Sequence, residues 1–277
     1  MLNISDHSRD SAGFTYVYPV VSRRAEGISV GINLNVNNAC NWHCAYCQVP
    51  DLKRGGPPPV DLKRLADELT SFLKDATDGS FLALHVPPEA RRLMDVAFSG
   101  NGEPTSASEF SEAVQVVEGV MREFKLLEKI KLRLITNGSL LHREGVRRGI
   151  SRIGALNGEV WFKLDRATED GINLVNGVRM SPLRLQASLM QCAELAPTWV
   201  QTCFFAFDGL EPDEMEKTAY LKLIEFSRPK IRGVHLYSLA RPSLQADAQR
   251  LSRISQEKLR SFADRISGLG VKVINNP

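Results

Sequence analysis

Apolar positions along the chain follow two periods that alternate. In residues 28–34, Ile28, Val30, Ile32 and Leu34 recur at every second position, which is typical of a strand. In residues 62–73, leucines and a phenylalanine recur at helical spacing after Asp61, a residue type that favours the N-cap. The same alternation continues, and it predicts strands at 28–34, 94–99, 130–136, 160–164, 200–207 and 233–239, with a short closing strand at 271–274. The helices predicted after 62–73 are one that begins near a capping box at Ser106 and Glu109, and others at 143–153, 182–195, 212–226 and 255–266.

Six strand–helix units predict an α/β protein with a parallel sheet. Such a sheet closes partly into a barrel or stays open and doubly wound, and both forms bind ligands at the carboxyl ends of their strands. We expect an N-terminal extension over 1–27 and a single domain over 28–277.

Composition narrows the class of protein. The chain has 277 residues, of which 43% are hydrophobic and 24% charged, so it is expected to fold as an ordinary globule rather than stay disordered or form fibres. The polar start and the lack of an apolar run long enough to span a membrane predict a cytoplasmic protein with no membrane partner. A net charge of +3 is too small to indicate nucleic acid, and five cysteines do not suggest a disulfide framework.

Three of the cysteines stand together directly after the first predicted strand. Cys40, Cys44 and Cys47 have C-x3-C-x2-C spacing in a polar loop, and such crowding of thiolates suits a metal centre. A zinc site with His43 as fourth ligand is one alternative, although His43 is adjacent to Cys44; a disulfide with a spare thiol and a buried apolar cluster are others. Iron–sulfur clusters normally take four thiolates, so three would leave one iron open to a ligand that is not protein.

The cysteine spacing, with aromatic Tyr46 before Cys47, resembles the signature of the radical S-adenosylmethionine (SAM) enzymes. The resemblance implies a partial (β/α)6 TIM-like barrel and a [4Fe–4S] cluster on the three cysteines, with SAM bound through its amino and carboxylate groups to the fourth iron. It also implies reductive cleavage of SAM to a 5′-deoxyadenosyl radical that abstracts hydrogen from a substrate. Tyr46 would then lie near the adenine.

Residues after the second and third strands extend the resemblance. Gly100, Asn101, Gly102 and Glu103 permit close backbone approach, and Glu103 can hold an ammonium; the alternative is an ordinary glycine turn before a helix. The family has a Gly-Gly-Glu-Pro element here that holds the SAM amino group, and Asn101 replaces its first glycine. Asn137 lies in a Thr-Asn-Gly sequence that is similar to the family's, or is simply a turn residue.

The fourth and sixth strands bring further polar side chains to the same end. Lys163 and Asp165 alternate with apolar neighbours and so share a face, which lies inside a barrel if Trp161 packs inward. They form either a solvated ion pair at the rim or, by the resemblance, contacts to the SAM carboxylate and ribose hydroxyls. Tyr237 shares a face with His235 and is a further candidate for the cavity. Cys192 and Cys203 are expected to be buried thiols.

The resemblance therefore implies a radical SAM enzyme that needs an electron donor similar to flavodoxin or ferredoxin. The substrate classes that we expect for it are a tRNA base, a peptide or a small metabolite. The glycine element and the sequence around Tyr237 resemble wyosine-type tRNA-modifying enzymes most, whereas Arg147, Arg148 and Arg152 on one helix are expected to be a solvated surface. The alternative is a non-catalytic zinc or iron–sulfur module that binds RNA or carries electrons, and such a module has no use for the glycine element.

Overall fold

The computed structural model describes residues 13–22, 27–78 and 80–276. The strands are β1 (Val17–Ser22), β2 (Gly27–Ile32), β3 (Ala39–Cys40), β4 (Lys53–Arg54), β5 (Leu93–Phe98), β6 (Lys131–Thr136), β7 (Glu159–Lys163), β8 (Thr198–Cys203), β9 (Phe205–Phe207), β10 (Gly233–Tyr237), β11 (Leu251–Arg253) and β12 (Val273–Asn276). The helices are α1 (Leu62–Thr77), α2 (Ser80–His85), α3 (Phe110–Glu123), α4 (Glu144–Ala155), α5 (Glu169–Asn176), α6 (Pro182–Leu195), α7 (Glu214–Ser227) and α8 (Gln256–Ser267).

One eight-stranded sheet organises the molecule, in the order β1-β2-β5-β6-β7-β8-β10-β12. From β2 to β12 the neighbouring strands pair in parallel, and a helix follows each of the six strands from β2 to β10. This is the partial (β/α)6 barrel that the resemblance implies, with β12 as the expected closing strand. Among the described residues, no helix is long and apolar enough to cross a membrane.

Two local features differ from the sequence prediction. The fifth predicted strand is split: β8 ends at Cys203, and β9 leaves the sheet to pair antiparallel with β11. The capping box at Ser106 and Glu109 is wrong, because the Ser106 hydroxyl donates to the Glu103 carbonyl at 2.6 Å and Glu109 precedes α3 without a side-chain cap.

The segment expected to be an extension contributes an edge strand. Residues 17–22 form β1, which pairs antiparallel with β2. Pro19 fits there because an edge strand has backbone positions that need no N–H donor. The proposed boundary at residue 27 stays a prediction, but the sheet continues across it.

Along each barrel strand, side chains alternate between the outer face, which is covered by helices, and the barrel interior. Val160 and Phe162 of β7 are fully buried in the main apolar core, whereas Trp161 and Lys163 point to the interior. The Trp161 ring lies 4.7 Å from the His235 ring, centroid to centroid. The inward packing of Trp161 is therefore confirmed, and it places Lys163 inside the barrel at the carboxyl end of its strand.

Candidate active site

The cysteine loop follows β2 and is closed at its base by backbone hydrogen bonds. Cys40 ends the short strand β3, which pairs in parallel with β4, and the Gly55 N–H donates to the Cys40 carbonyl at 3.1 Å. Within the loop, the Cys47 N–H donates to the Cys44 carbonyl at 3.0 Å. The three thiols are thus presented by one compact loop.

The Cys47 thiol lies within electrostatic reach of the other two thiols. Burial raises the pKa of the Cys40 thiol to about 11, and negative charge on Cys47 adds to this rise. A hydrogen bond from the Trp42 N–H lowers the pKa and so opposes part of the rise. Burial also raises the pKa of Cys44 well above its ordinary value, with further contributions from the charges of Asp165 and Cys47. Free thiols are therefore favoured until a positively charged group binds the thiolates.

Two other segments hold the loop from outside. The backbone of the cysteine loop donates two hydrogen bonds to the end of α5. The His43 N–H donates to the Asn176 carbonyl at 3.1 Å, and the Ala45 N–H donates to the Val175 carbonyl at 2.8 Å. Beyond β10, the Ser243 hydroxyl donates to the Ala45 carbonyl at 2.7 Å. The sequence does not predict α5 as part of the site, and in the segment beyond β10 it indicates only Arg241 as a residue that could line the cavity.

The segment beyond β10 makes further bonds to the cysteine loop, including two to the Cys47 carbonyl from Ser243 and Gln245. The Leu244 N–H donates to the Cys47 carbonyl at 3.0 Å, and the Gln245 side chain donates to the Val49 carbonyl at 2.8 Å. Arg241 donates to the Gln48 side chain at 2.9 Å. Residues that are distant in sequence therefore fix the second half of the cysteine loop. Arg241 and Gln48, for example, are 193 positions apart.

The glycine element lies against the first half of the cysteine loop. Gly100 has a φ of +138°, which favours glycine, and a Cβ at Gly102 would lie 2.2 Å from the Ala39 carbonyl oxygen. The Asn101 N–H donates to Asn33 Oδ1 at 3.0 Å, and its side-chain NH2 donates to Asn38. Asn101 Oδ1 is buried and has no hydrogen-bond partner among the described residues. This oxygen is available to accept from an ammonium group.

Glu103 joins the ends of β5 and β6. Its carboxylate accepts from the Thr136 hydroxyl at 2.6 Å, from the Asn137 N–H at 2.7 Å and from both donors of Thr105. Burial raises the pKa of Glu103, and these hydrogen bonds oppose the rise. Its predicted contact to an ammonium stays a prediction, but the carboxylate also holds the two strand ends together.

Asn137 connects β6 to the cysteine loop. Its side-chain NH2 donates to Asn41 Oδ1 at 2.9 Å, and its own oxygen accepts from the Ser139 hydroxyl at 2.7 Å. Asn41 in turn donates to the Ser139 hydroxyl at 2.7 Å. The Thr-Asn-Gly sequence is thus more than a turn, because Asn137 lies beside the residue that follows Cys40.

A partly buried network joins the two predicted residues at the end of β7 to two tyrosines: its members are Lys163, Asp165, Tyr46 and Tyr237. The Tyr46 hydroxyl donates to Asp165 Oδ2 at 2.5 Å, and Lys163 Nζ lies 3.4 Å from Asp165 Oδ1. Lys163 also donates to the Tyr237 hydroxyl at 2.6 Å and lies 4.9 Å from the centre of the Tyr46 ring. Burial alone would lower the pKa of Lys163, but the Asp165 carboxylate raises it above its ordinary value.

Every predicted site residue therefore lies at the carboxyl end of the barrel, in contact with the cysteine loop or with a residue that contacts it. Several solved structures superpose on this barrel. A SAM-dependent radical methyltransferase from Sphaerobacter thermophilus superposes with a TM-score of 0.61 at 14% identity over 94% of this chain and 68% of that one. The chain has the fold of the radical SAM enzymes. The structure of TYW1 with a lysine–pyruvate adduct has a TM-score of 0.58 at 15% identity, over 88% of this chain and 74% of TYW1, and archaeal TYW1 has 0.52 at 14%, over 95% and 77%.

Sequence comparisons cover only parts of known proteins. No protein-family profile matches the chain. GTPase Obg of Brachyspira hyodysenteriae is 28% identical over 129 residues, and a UPF0026 protein of Methanocaldococcus jannaschii is 27% identical over 165 residues. These matches cover 47% and 55% of this chain, and the chain spans 16% and 44% of the two relatives.

The radical SAM fold implies a [4Fe–4S] cluster and SAM, and the residues fit both groups. Three thiols on one loop suit a cluster, in which each thiolate binds a different iron. Within the described ranges, no three His, Cys, Asp or Glu side chains meet as a single metal ion would require. For SAM, the unpartnered Asn101 oxygen suits the amino group and the Lys163 ammonium suits the carboxylate.

The remaining predicted residues are buried in three different places: Cys192 in the main apolar core, Cys203 in the cluster that contains Ala45 of the cysteine loop, and His235 in the barrel interior. Cys192 in α6 and Cys203 in β8 are buried, as expected. His235 packs between Trp161 and Trp199, with ring centroids 4.7 and 4.8 Å away. His235 therefore forms part of the interior packing below Tyr237.

Proposed function

We propose that the chain is a radical SAM enzyme. When bound, a [4Fe–4S] cluster supplies the electron that splits SAM into methionine and a 5′-deoxyadenosyl radical, which abstracts hydrogen from substrate. The observation that carries the proposal is the attachment of the three-thiol loop to the ends of β6 and β7, through Asn41–Asn137 and Tyr46–Asp165. A module that only bound a metal would need no such contacts with the barrel.

The chain's own residues bind and orient the cofactor. Cys40, Cys44 and Cys47 ligate iron, and the Gly100–Glu103 element receives the amino group through the Asn101 oxygen. Lys163 holds the carboxylate. Tyr46, whose ring packs edge-on against Phe205 at 5.5 Å, borders the adenine, and Asp165 takes the ribose hydroxyls. Because each Asp165 oxygen already has partners, ribose must displace one of them.

Lys163 acts as a cation rather than as a nucleophile. One TYW1 structure contains a lysine–pyruvate adduct, and a lysine that forms such an adduct must first lose its proton. The Asp165 carboxylate raises the pKa of Lys163, which keeps the ammonium charged at neutral pH. We therefore assign Lys163 to anion binding.

The central test is cofactor cleavage by the anaerobically reconstituted protein. We expect about four irons per chain, absorption at roughly 400 nm from thiolate-bound iron, and release of 5′-deoxyadenosine when reductant and SAM are added. Replacing Cys40, Cys44 or Cys47 by Ala should abolish both the absorption and the cleavage, whereas Cys192→Ala should retain both. Stoichiometric zinc in anaerobically purified protein, without SAM cleavage, would instead support the non-catalytic module.

A tRNA base is the substrate class that we propose to test first, with a flavodoxin- or ferredoxin-like protein as electron donor. Its support is the resemblance to wyosine-type enzymes and the fold shared with TYW1. Helix α4 gives no added support, because Arg148 pairs with Glu144 at 2.9 Å and Arg152 pairs with Glu118. Deuterium transfer into 5′-deoxyadenosine from labelled tRNA, but not from labelled peptides or metabolites, is the expected result. Absence of salt-dependent tRNA binding would remove this substrate.

A further inference from the structure

A buried asparagine outside the cysteine loop contacts one of its three thiols. Asn176 is the last residue of α5 and is 2% exposed. Its side-chain nitrogen lies 3.4 Å from Cys44 Sγ and 3.0 Å from Asp165 Oδ2, and it donates to both. A primary amide nitrogen carries two hydrogens, so one N–H is available for each acceptor.

The backbone fixes Asn176 in this position. Its carbonyl accepts from the His43 N–H at 3.1 Å, and the preceding carbonyl of Val175 accepts from the Ala45 N–H at 2.8 Å. These two bonds flank Cys44 on both sides. Gly177 caps the helix directly after Asn176, and its φ of +64° turns the chain away from the helix axis.

From this geometry we propose that Asn176 is a positioning residue that raises the reduction potential of the cluster through its N–H bond to Cys44. The inference rests on the proposed function, since it concerns the cluster that the three thiols would bind. Reduction adds negative charge to the cluster and its thiolates, and an N–H donor stabilises the more negative state. The second N–H, to Asp165, keeps the amide oriented and links Cys44 to the Lys163 network.

The test compares the midpoint potential of the reconstituted cluster in three proteins: the wild type, Asn176→Leu and Asn173→Leu. Leucine has nearly the shape of asparagine but no N–H donor. Asn173 lies one turn earlier on the exposed side of α5, so its replacement controls for the change in helix composition. We expect a lower midpoint potential in Asn176→Leu and an unchanged one in Asn173→Leu. An equal potential in all three proteins, each with a full cluster, would overturn the inference.

A second measurement decides the matter if Asn176→Leu does not hold a cluster. Wild-type protein carrying 15N in the side-chain amides of asparagine should show 15N hyperfine coupling to the reduced cluster. A cluster without such coupling contradicts the proposed bond. If the wild type itself binds no cluster, the proposed function fails, and this outcome differs from an unchanged potential in a loaded variant.

Discussion

The Tyr46 hydroxyl donates a 2.5 Å hydrogen bond to Asp165, 119 residues later in the sequence. Tyr46 stands between two of the three cysteines, and Asp165 follows β7, so this bond joins the cysteine loop directly to a barrel strand. Burial, and after it the Asp165 charge, raises the pKa of Tyr46 well above its ordinary value. The phenol therefore keeps its proton and stays a donor at neutral pH.

We expect Tyr46→Phe to destabilise the fold and weaken retention of the cluster. Removing a donor from a buried carboxylate costs about 1.5–3 kcal/mol, because hydrogen bonds to charged groups exceed neutral ones in strength. Chemical denaturation measures the loss of stability, and the iron content after gel filtration measures cluster retention.

Tyr220→Phe is the matched control for that change. Tyr220 is also buried, and its hydroxyl bonds to the Thr202 hydroxyl at 2.7 Å on the helix side of β8, away from the cysteine loop. The Tyr220→Phe variant should therefore lose some stability but retain its iron. Equal iron loss in both variants would mean that Tyr46 contributes only general stability.

Lys163→Met should weaken SAM binding. Lys163 supplies the ammonium that we place at the SAM carboxylate, and loss of a charged hydrogen bond of about 1.5–3 kcal/mol corresponds to a dissociation constant higher by roughly 10- to 150-fold. Lys217→Met is the control. Lys217 lies on α7, its side chain is 13% exposed against 15% for Lys163, and it pairs with Glu211 at 2.9 Å. Equilibrium dialysis with SAM compares the two reconstituted variants. Unchanged SAM affinity in Lys163→Met would remove Lys163 from the carboxylate site.

The sequence predicted the parts of this site that depend on local spacing. The three cysteines lie within eight residues, and the period of two in β7 predicts that Lys163 and Trp161 share a face. Only the structure shows that Trp161 packs inward, which places this face inside the barrel. The order of strand and helix patterns predicted the six parallel units for the same reason, since each depends on neighbouring residues.

The contacts that hold the cysteine loop were not predictable in this way. Asn176 meets Cys44 across 132 residues, and Ser243 meets Ala45 across 198. Such pairs leave no periodic pattern in a single sequence. Helix α5 itself was missed because it has only 8 residues and contains Gly171, so its helical period is weak.

Alkylation of Cys40 in the metal-free protein should depend on pH in a way that reflects burial. Its pKa of about 11 lies above the ordinary value of 9.0, so the folded state binds the proton more tightly than the unfolded chain does. The resulting stability is fully present below pH 9 and is lost as the pH rises towards 11. Labelling with iodoacetamide, followed by peptide mapping, should therefore rise about tenfold per pH unit up to roughly pH 11, because the thiolate is the reactive form. A plateau near pH 9 would show that Cys40 is solvated.

Gly177→Ala should disturb the cysteine loop as well as strain the backbone. Gly177 has a φ of +64°, and a Cβ there would lie 2.8 Å from the His43 carbonyl oxygen. The left-handed conformation alone costs about 1–2 kcal/mol for a residue with a Cβ, and the close contact must in addition displace the backbone next to Cys44. Gly209→Ala separates the two effects, since Gly209 has a φ of +76° and nothing within 4 Å of the added Cβ. We expect both variants to lose stability in denaturation, but only Gly177→Ala to bind less iron on reconstitution. Equal iron in the two variants would mean that the end of α5 does not control the position of Cys44.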